Sequence, residues 1–279
     1  MSTTSTTAEE RYALGRTPEE YERLRAQARV WEAATGRLLD QVGLAAGARC
    51  LDAGCGPGET MRLMALRVGS TGQVTGIDID ADLGLRAQAM LHQAGHGHCS
   101  VLAHDLTLDE PVPGGPYDLV FARLLLFHLP ERVAVLRRLW EAVAPGGHLV
   151  IQDYDLRTVS VTPPLASMDE IGRVITSAFT SAGCDIHVGT CLPELFVASG
   201  AGTADGTAVA GRLDDLTTTQ VMLEQVFRSL LPVALAHGIT TEPQADAALA
   251  ALRHDAIRHA QRPTLWPLMV GAWKRRIPA

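Results

Sequence analysis

The chain is poor in cysteine, in long apolar runs and in positive charge, and each shortage closes off a class of protein. Five cysteines occur in 279 residues. They stand at Cys50, Cys55, Cys99, Cys184 and Cys191, odd in number and never spaced C-x-x-C. That signals neither a disulfide scaffold nor a cysteine-bound zinc site, and reduced thiols in a cytoplasmic protein are the expectation. The most apolar window, from Leu119 to Leu129, is interrupted by Arg123 and His128 and falls short of the roughly 20 residues that span a bilayer. The opening stretch from Met1 to Glu10 has none of the apolar character of a secretory leader. Lys and Arg number 24 against 31 Asp and Glu, a net charge of -7. Nucleic acid is thereby disfavoured as a partner, since phosphate binding needs clustered cations. The one basic run, Lys274-Arg275-Arg276, is expected to be a solvated end. No internal repeat is visible.

What is present is apolar bulk. Hydrophobic residues make up 47% of the chain and charged residues 20%, enough for a sizeable core in one large domain or a domain with an appendage. After a polar tail, Thr17-Pro18-Glu19-Glu20 reads as a capped helix start, with Thr at the cap, Pro in the first turn and Glu reaching back. Tyr21, Leu24, Ala28, Trp31, Leu38 and Val42 then follow at helical spacing along one stripe that ends near Gly43. Residues 1–43 are thus expected to form a tail and a helical lid, and residues 44–279 the main domain.

From residue 48 short apolar runs alternate with helical stretches. Strands are expected at 49–53, 73–78, 99–104, 117–122 and 148–153, with helices at 59–68, 82–95 and 130–143. Runs buried on both faces and joined by helices predict a doubly wound, mostly parallel α/β sheet. Beyond Asp155, helices are expected at 168–181 and 192–198, and a sixth strand within 203–213. Two more helices follow at 217–237, interrupted at Pro232, and 243–261, together a cap inserted over about 216–262. Thr264 to Trp273 reads as a seventh strand, with Pro267 placing it at an edge or bulge.

The strongest local signal is Leu51-Asp-Ala-Gly54-Cys-Gly56-Pro-Gly58-Glu59, between the first strand and first helix. Glycines there let a ligand approach the backbone, and the helix start offers free N–H groups to an anionic part of it. A dinucleotide loop reads G-x-G-x-x-G, and its third glycine would fall at position 59, which is Glu. Asp78, ending the second strand, can accept both hydroxyls of an adenosine ribose in either case. His104-Asp105-Leu106 ends the third strand, where a carboxylate can take an adenine amino group beside an apolar wall.

These motifs, with Gly76-Ile-Asp-Ile79, Tyr117-Asp-Leu-Val120 and Ala144-Pro-Gly-Gly147, resemble in order and spacing the class I S-adenosylmethionine-dependent methyltransferases over residues 48–155. The resemblance implies a Rossmann-like seven-stranded sheet with a reversed last strand and S-adenosyl-L-methionine at the C-terminal strand ends. By that resemblance Gly54, Gly56 and Gly58 line the cofactor's methionine part and Asp52 orients the loop. Asp78 takes the ribose, Ile79 lies against one adenine face, Asp105 and Leu106 hold the adenine edge and other face, and Arg123 pairs with the cofactor carboxylate. The segment Tyr12-Ala-Leu-Gly15 to Gln27 is similar to the N-terminal extension of small-molecule, natural-product methyltransferases, including the C-methyltransferases of teleocidin-type indole-alkaloid biosynthesis. Tyr21 and Gln27 are then expected near the methionine end. The same helix could also reach a neighbouring subunit and make a homo-oligomer.

Methyl transfer needs a nucleophile held in line with the methyl–sulfur bond, and some acceptors also need a base. His128, after the fourth strand, is the candidate base; packing is its other reading. Asp153, Tyr154 and Asp155 could face substrate or sit in a solvated loop. His92, His96 and His98 lack supporting carboxylates, so no metal site is expected. Met222, Leu223, Val226, Phe227 and Leu230 form either core or an apolar acceptor wall. The expected activity is methyl transfer to a small, largely apolar acceptor of secondary metabolism, including C-methylation of an aromatic or prenyl group. A nicotinamide-dependent oxidoreductase and a non-catalytic cofactor-binding partner are the competing readings.

Overall fold

The computed structural model describes residues 18–278. Thr17 and Tyr12-Ala-Leu-Gly15 lie outside the described residues, as do the side chains of residues 18–20 and with them the expected capping box. The N-terminal stripe forms two helices rather than one, α1 (Pro18–Val30) and α2 (Glu32–Gln41). The break falls at Trp31, whose buried indole donates through Nε1 to the Tyr154 hydroxyl at 2.5 Å, its ring edge-on to that phenol. Seating this side chain takes precedence over helical continuity.

Then come β1 (Arg49–Ala53), α3 (Glu59–Val68), β2 (Gln73–Asp78), α4 (Ala81–Gln93), β3 (Cys99–Ala103), β4 (Tyr117–Arg123), α5 (Arg132–Glu141) and β5 (Val143–Asp155). The later elements are β6 (Ser160–Val161), α6 (Ala166–Ser181), α7 (Val188–Ala198), β7 (Gly206–Ala210), β8 (Leu213–Asp215), α8 (Leu216–Ala236), α9 (Glu242–Arg258), β9 (Pro263–Leu265) and β10 (Leu268–Arg275). Seven strands make one sheet in the order β3-β2-β1-β4-β5-β10-β7. The first five are parallel, and β10 runs antiparallel to both its neighbours. The chain winds outward from β1 to β3 and then returns to β4 on the other side. That reversal opens a crevice beyond the C-terminal ends of β1 and β4, where ligands bind in sheets of this kind.

Strand alternation supplies both faces. Cys50, Leu119, Phe121 and Val150 pack with Leu39, Met61 and Met64 of α2 and α3. Their neighbours Leu51, Val120, Ala122 and Ile151 pack with α5, α6 and α7 through Leu136, Ile171 and Leu192. Each fully buried side chain of this size contributes about 1.5–3 kcal/mol, so the two layers hold the strand ends firmly. A third, smaller cluster of Trp31, Tyr154, Trp266 and Met269 sits beneath the lid.

Several expectations are corrected. The segment expected as one sixth strand splits into β7 in the large sheet and β8 in a second, three-stranded sheet ordered β6-β9-β8. The apolar end splits likewise: β9 joins the small sheet and β10 lies inside the large one, with Pro267 in the gap between them rather than at an edge. β5 begins earlier than expected, because the Ala144–Gly147 turn is a bulge within it. A Cβ on Gly147 would meet the Asp118 carbonyl oxygen at 2.7 Å, so the backbone crossing there requires glycine. α8 runs unbroken through Pro232. Pro232 and Arg228 are both exposed, so the carbonyl freed four residues back turns to water while buried Phe227, Leu230 and Ala234 hold the register. The basic C-terminal run is tied down, with Arg275 exposed: Lys274 pairs with Asp205 at 2.6 Å, and Arg276 donates to the carbonyls of Trp140 and Glu141 at the end of α5 and of Val143 at the start of β5.

Candidate active site

A cavity of about 640 Å³ lies at the crevice, roofed by α1. Its polar end is built by the loop from β1 to α3. Gly56 adopts a positive φ of 49°, and its N–H donates to Asp78 Oδ2 at 2.8 Å. Gly58, at φ 80°, begins α3, where an added Cβ would come within 3.1 Å of Ala87 on α4. The first glycine-loop contact and the second helix are thereby locked together.

Asp78 also accepts from the Asp80 N–H at 2.9 Å. These two backbone bonds aim the carboxylate, a group able to accept from a ribose diol, at the cavity. Ile79 follows it, partly exposed, on the cavity wall. Asp105 uses one oxygen, Oδ1, for both Thr107 N–H and Thr107 hydroxyl. Oδ2 keeps its acceptor capacity. Leu106 is buried beside it, and all four line the cavity.

Asp52 is 1% exposed, and its Oδ2 has no hydrogen-bond partner. Burial pushes this carboxyl up to about 7, against the pull of Arg123. Arg123, at the end of β4, donates to Thr35 at 3.0 Å, and Thr35 donates to Gln152 at 2.6 Å. An orphaned buried acid facing a cavity with a guanidinium nearby suits a ligand carrying both an ammonium and a carboxylate. The methionine part of S-adenosylmethionine has that pair, so the donor set fits the cofactor.

The lid closes this end. Tyr21 donates to Asp80 Oδ2 at 2.9 Å, and Gln27 Nε2 donates to the Tyr154 hydroxyl at 3.1 Å. Arg25 and Arg29 of α1 both approach Glu59, at 3.6 Å each. The lid thus grips the first residue of α3, the cap of α4 and the end of β5 in its own chain.

The far end of the cavity is apolar. Met222, Leu223 and Val226 of α8 line it, whereas Phe227 and Leu230 are 0% exposed in the core. The five-residue stripe therefore divides between wall and core. His128 lies on the wall, its rings packed edge-on with Phe127 and Phe179. Burial, helped by the charge of Arg23, lowers its pKa to about 4. It is neutral at physiological pH and a weak base. Leu124, just past β4, takes a left-handed φ of 54°, a strained conformation for a leucine and one that clusters at functional sites.

The residues expected after the fifth strand are the end of β5 itself, paired with β10. Asp153, Tyr154 and Asp155 are all buried, and of the three only Tyr154 lines the cavity. Asp153 accepts from the Phe127 and Tyr154 N–H groups, and Asp155 is held by Arg157 and Thr190. His92 is tied to the Cys99 carbonyl oxygen at 2.8 Å. Arg23 and His104 line the cavity without having been singled out in the sequence. His104 was detectable as the neighbour of Asp105. Arg23 stands four residues before Gln27 on the same helical face, a pairing that looks like any exposed helix pair in sequence.

This arrangement, a parallel sheet with one reversed strand and an acid at each of the first three strand ends around a glycine loop, defines an adenosine-cofactor enzyme fold. The methyltransferase-domain family model matches residues 50–147. Over 127 residues the chain is 35% identical to 27-O-demethylrifamycin SV methyltransferase of Amycolatopsis mediterranei, covering 44% of this chain and 46% of that one. Over 170 residues it is 31% identical to trans-aconitate 2-methyltransferase of Methylobacterium nodulans, covering 54% and 63%. The matches thus span about half the length of these curated relatives. A solved Bacillus halodurans protein shares the fold, with a TM-score of 0.60 at 12% identity over 88% of this chain and all of that one. Residues 50–147 thus match a methyltransferase domain, and the fold around them is the one this solved relative shares.

Proposed function

We propose that this protein transfers the methyl group of S-adenosylmethionine to a small, largely apolar acceptor of secondary metabolism, at an electron-rich aromatic or prenyl carbon. The observation that carries this is the single cavity joining the Asp52–Asp78–Arg123 end to the apolar wall of α8. Bound at the polar end, the cofactor supplies an electrophilic methyl. The chain orients it through Asp78 and Arg123, excludes water with α1, and holds the acceptor against Met222, Leu223 and Val226. The weak basicity of His128 favours an acceptor that attacks without first losing a proton to the protein. The names of the relatives favour O-methylation instead, and NMR of the product decides between carbon and oxygen.

Calorimetry with S-adenosylhomocysteine and NAD tests the cofactor. Binding of NAD alone would restore the oxidoreductase reading, which the glutamate at position 59 opposes. Mass spectrometry on a panel of indoles, naphthols and prenylated aromatics tests transfer. Tight cofactor binding with no methyl gain on any of them would make the chain a binding partner rather than an enzyme. We assign the protein to the cytoplasm, a reading supported by free, buried Cys50, Cys55, Cys99 and Cys184. We also propose a homo-oligomer in which α1 makes its present contacts on a second copy. A fully active monomer would end that proposal.

A further inference from the structure

Tyr154 ends its strand beneath the lid, lines the cavity, and receives two hydrogen bonds on one oxygen. Trp31 Nε1 donates to it at 2.5 Å and Gln27 Nε2 at 3.1 Å. A phenol oxygen has two lone pairs and one proton. With both accepting positions filled, Tyr154 can act only as a donor, and among the described residues none accepts its proton. Burial raises the phenol to about 12, so the proton is present throughout the neutral range. A buried hydroxyl left without an acceptor is costly, and the cavity is the side on which a partner can arrive.

The surroundings say what kind of partner. Arg23 is 4% exposed and is fixed by donating to Gln27 Oε1 at 2.8 Å. Its charge and that of Arg123 both act on the Tyr154 hydroxyl. A donor hydroxyl in a cationic corner favours a negatively charged oxygen. Around that corner the wall is apolar, with Leu156, Trp266 and Met222 adjoining Tyr154 in the cavity lining and in the cluster beneath the lid.

We propose that Tyr154 donates its phenolic hydrogen bond to an ionised oxygen, a phenolate or carboxylate, on the otherwise apolar acceptor, and so sets which acceptors bind. This rests on the reading of the cavity as a cofactor and acceptor site. Arg23 and Gln27 act as positioning residues, holding the phenol with its donor direction fixed.

The test uses the whole chain saturated with S-adenosylhomocysteine and two probes of like shape, 2-naphthoate and 2-methylnaphthalene. The wild type is expected to bind 2-naphthoate about tenfold more tightly than 2-methylnaphthalene, as a charge-assisted hydrogen bond requires. In Tyr154→Phe that preference falls to within about twofold, while S-adenosylhomocysteine affinity falls by no more than the roughly fivefold that loosening the lid causes. Loss of the lid's acceptor oxygen alone would weaken both probes equally, which separates recognition from a structural role. If Tyr154→Phe does not fold, Trp31→Phe/Tyr154→Phe removes the buried indole donor together with its acceptor and is read in the same way. A preference that is absent in the wild type, or that survives in the variant, overturns the proposal. So does a tenfold loss of S-adenosylhomocysteine affinity, which would place the proton on the cofactor's own carboxylate. Failure of the wild type to bind S-adenosylhomocysteine defeats the methyltransferase reading itself, and is seen before any probe is added.

Discussion

Tyr21 of the lid donates its hydroxyl proton to Asp80, and Asp80 with its other oxygen caps α4 by accepting from the Leu83 N–H. One carboxylate thereby joins the roof of the cavity to the helix that follows Asp78. Tyr21→Phe is expected to lose about 1 kcal/mol of lid closure, a typical net value for a part-exposed hydrogen bond. S-adenosylhomocysteine affinity should fall roughly fivefold by calorimetry, with little change in thermal unfolding.

Asp78 is held by the N–H groups of Gly56 and Asp80 and aimed at the cavity. Asp78→Ala should weaken S-adenosylhomocysteine binding by about tenfold or more, from lost charge-assisted hydrogen bonds. Unchanged affinity in a titration of the variant would remove the ribose assignment.

Cofactor binding is expected to depend on pH through Asp52, which lines the polar end of the cavity. Its folded pKa stands at about 7, raised by burial from an ordinary value near 3.8. Between those values the folded chain keeps a proton that the unfolded chain has released. Its contribution to stability therefore falls as pH rises through that window and is level above about 7. A cationic ligand prefers the ionised acid, so S-adenosylmethionine affinity should rise from pH 6 to pH 8, by up to about tenfold per unit below the pKa. Binding at pH 6 should release protons, read as a dependence of calorimetric enthalpy on the buffer. Asp52→Asn should flatten that binding profile. Asp153, also raised to about 7 by burial, leaves a residual slope in stability alone.

The two roles within α8 separate by truncation. Phe227 is 0% exposed, and Phe227→Ala should cost about 3–5 kcal/mol in urea denaturation. Met222 is half-buried on the cavity wall, and Met222→Ala should cost less than about 2 kcal/mol while altering which acceptors are methylated. Equal stability losses would place both in the core.

The first half of the molecule was legible because its punctuation is local. Gly54 ends β1, and Gly58 and Gly69 bound α3, so tightly that the expected limits of 49–53 and 59–68 match the structure. The places of Asp52, Asp78 and Asp105 on the cavity wall were legible for the same reason, since each lies at or just beyond the C-terminal end of a strand. What failed was decided at a distance. The α1–α2 break follows from the partner Trp31 finds at position 154. The division of 264–273 between two sheets follows from which strands are already paired. Helix continuity through Pro232 depends on Phe227 and Ala234 being buried. Arg23 escaped notice, and Tyr154 was left between facing substrate and a solvated loop, because burial of a helical arginine and the double occupation of a phenol oxygen arise only when α1 is in place.

The gap at Pro267 has a mechanical meaning. Trp266, on the cavity wall, directly follows the short strand β9, and two residues later the chain becomes β10, paired on both sides within the large sheet. Any displacement of the indole must drag on a strand anchored along two ladders. The opposite face of the cavity is α1, held by side-chain bonds alone. The cavity is therefore a vice with one fixed jaw, set by the sheet, and a second jaw set by the contacts of α1.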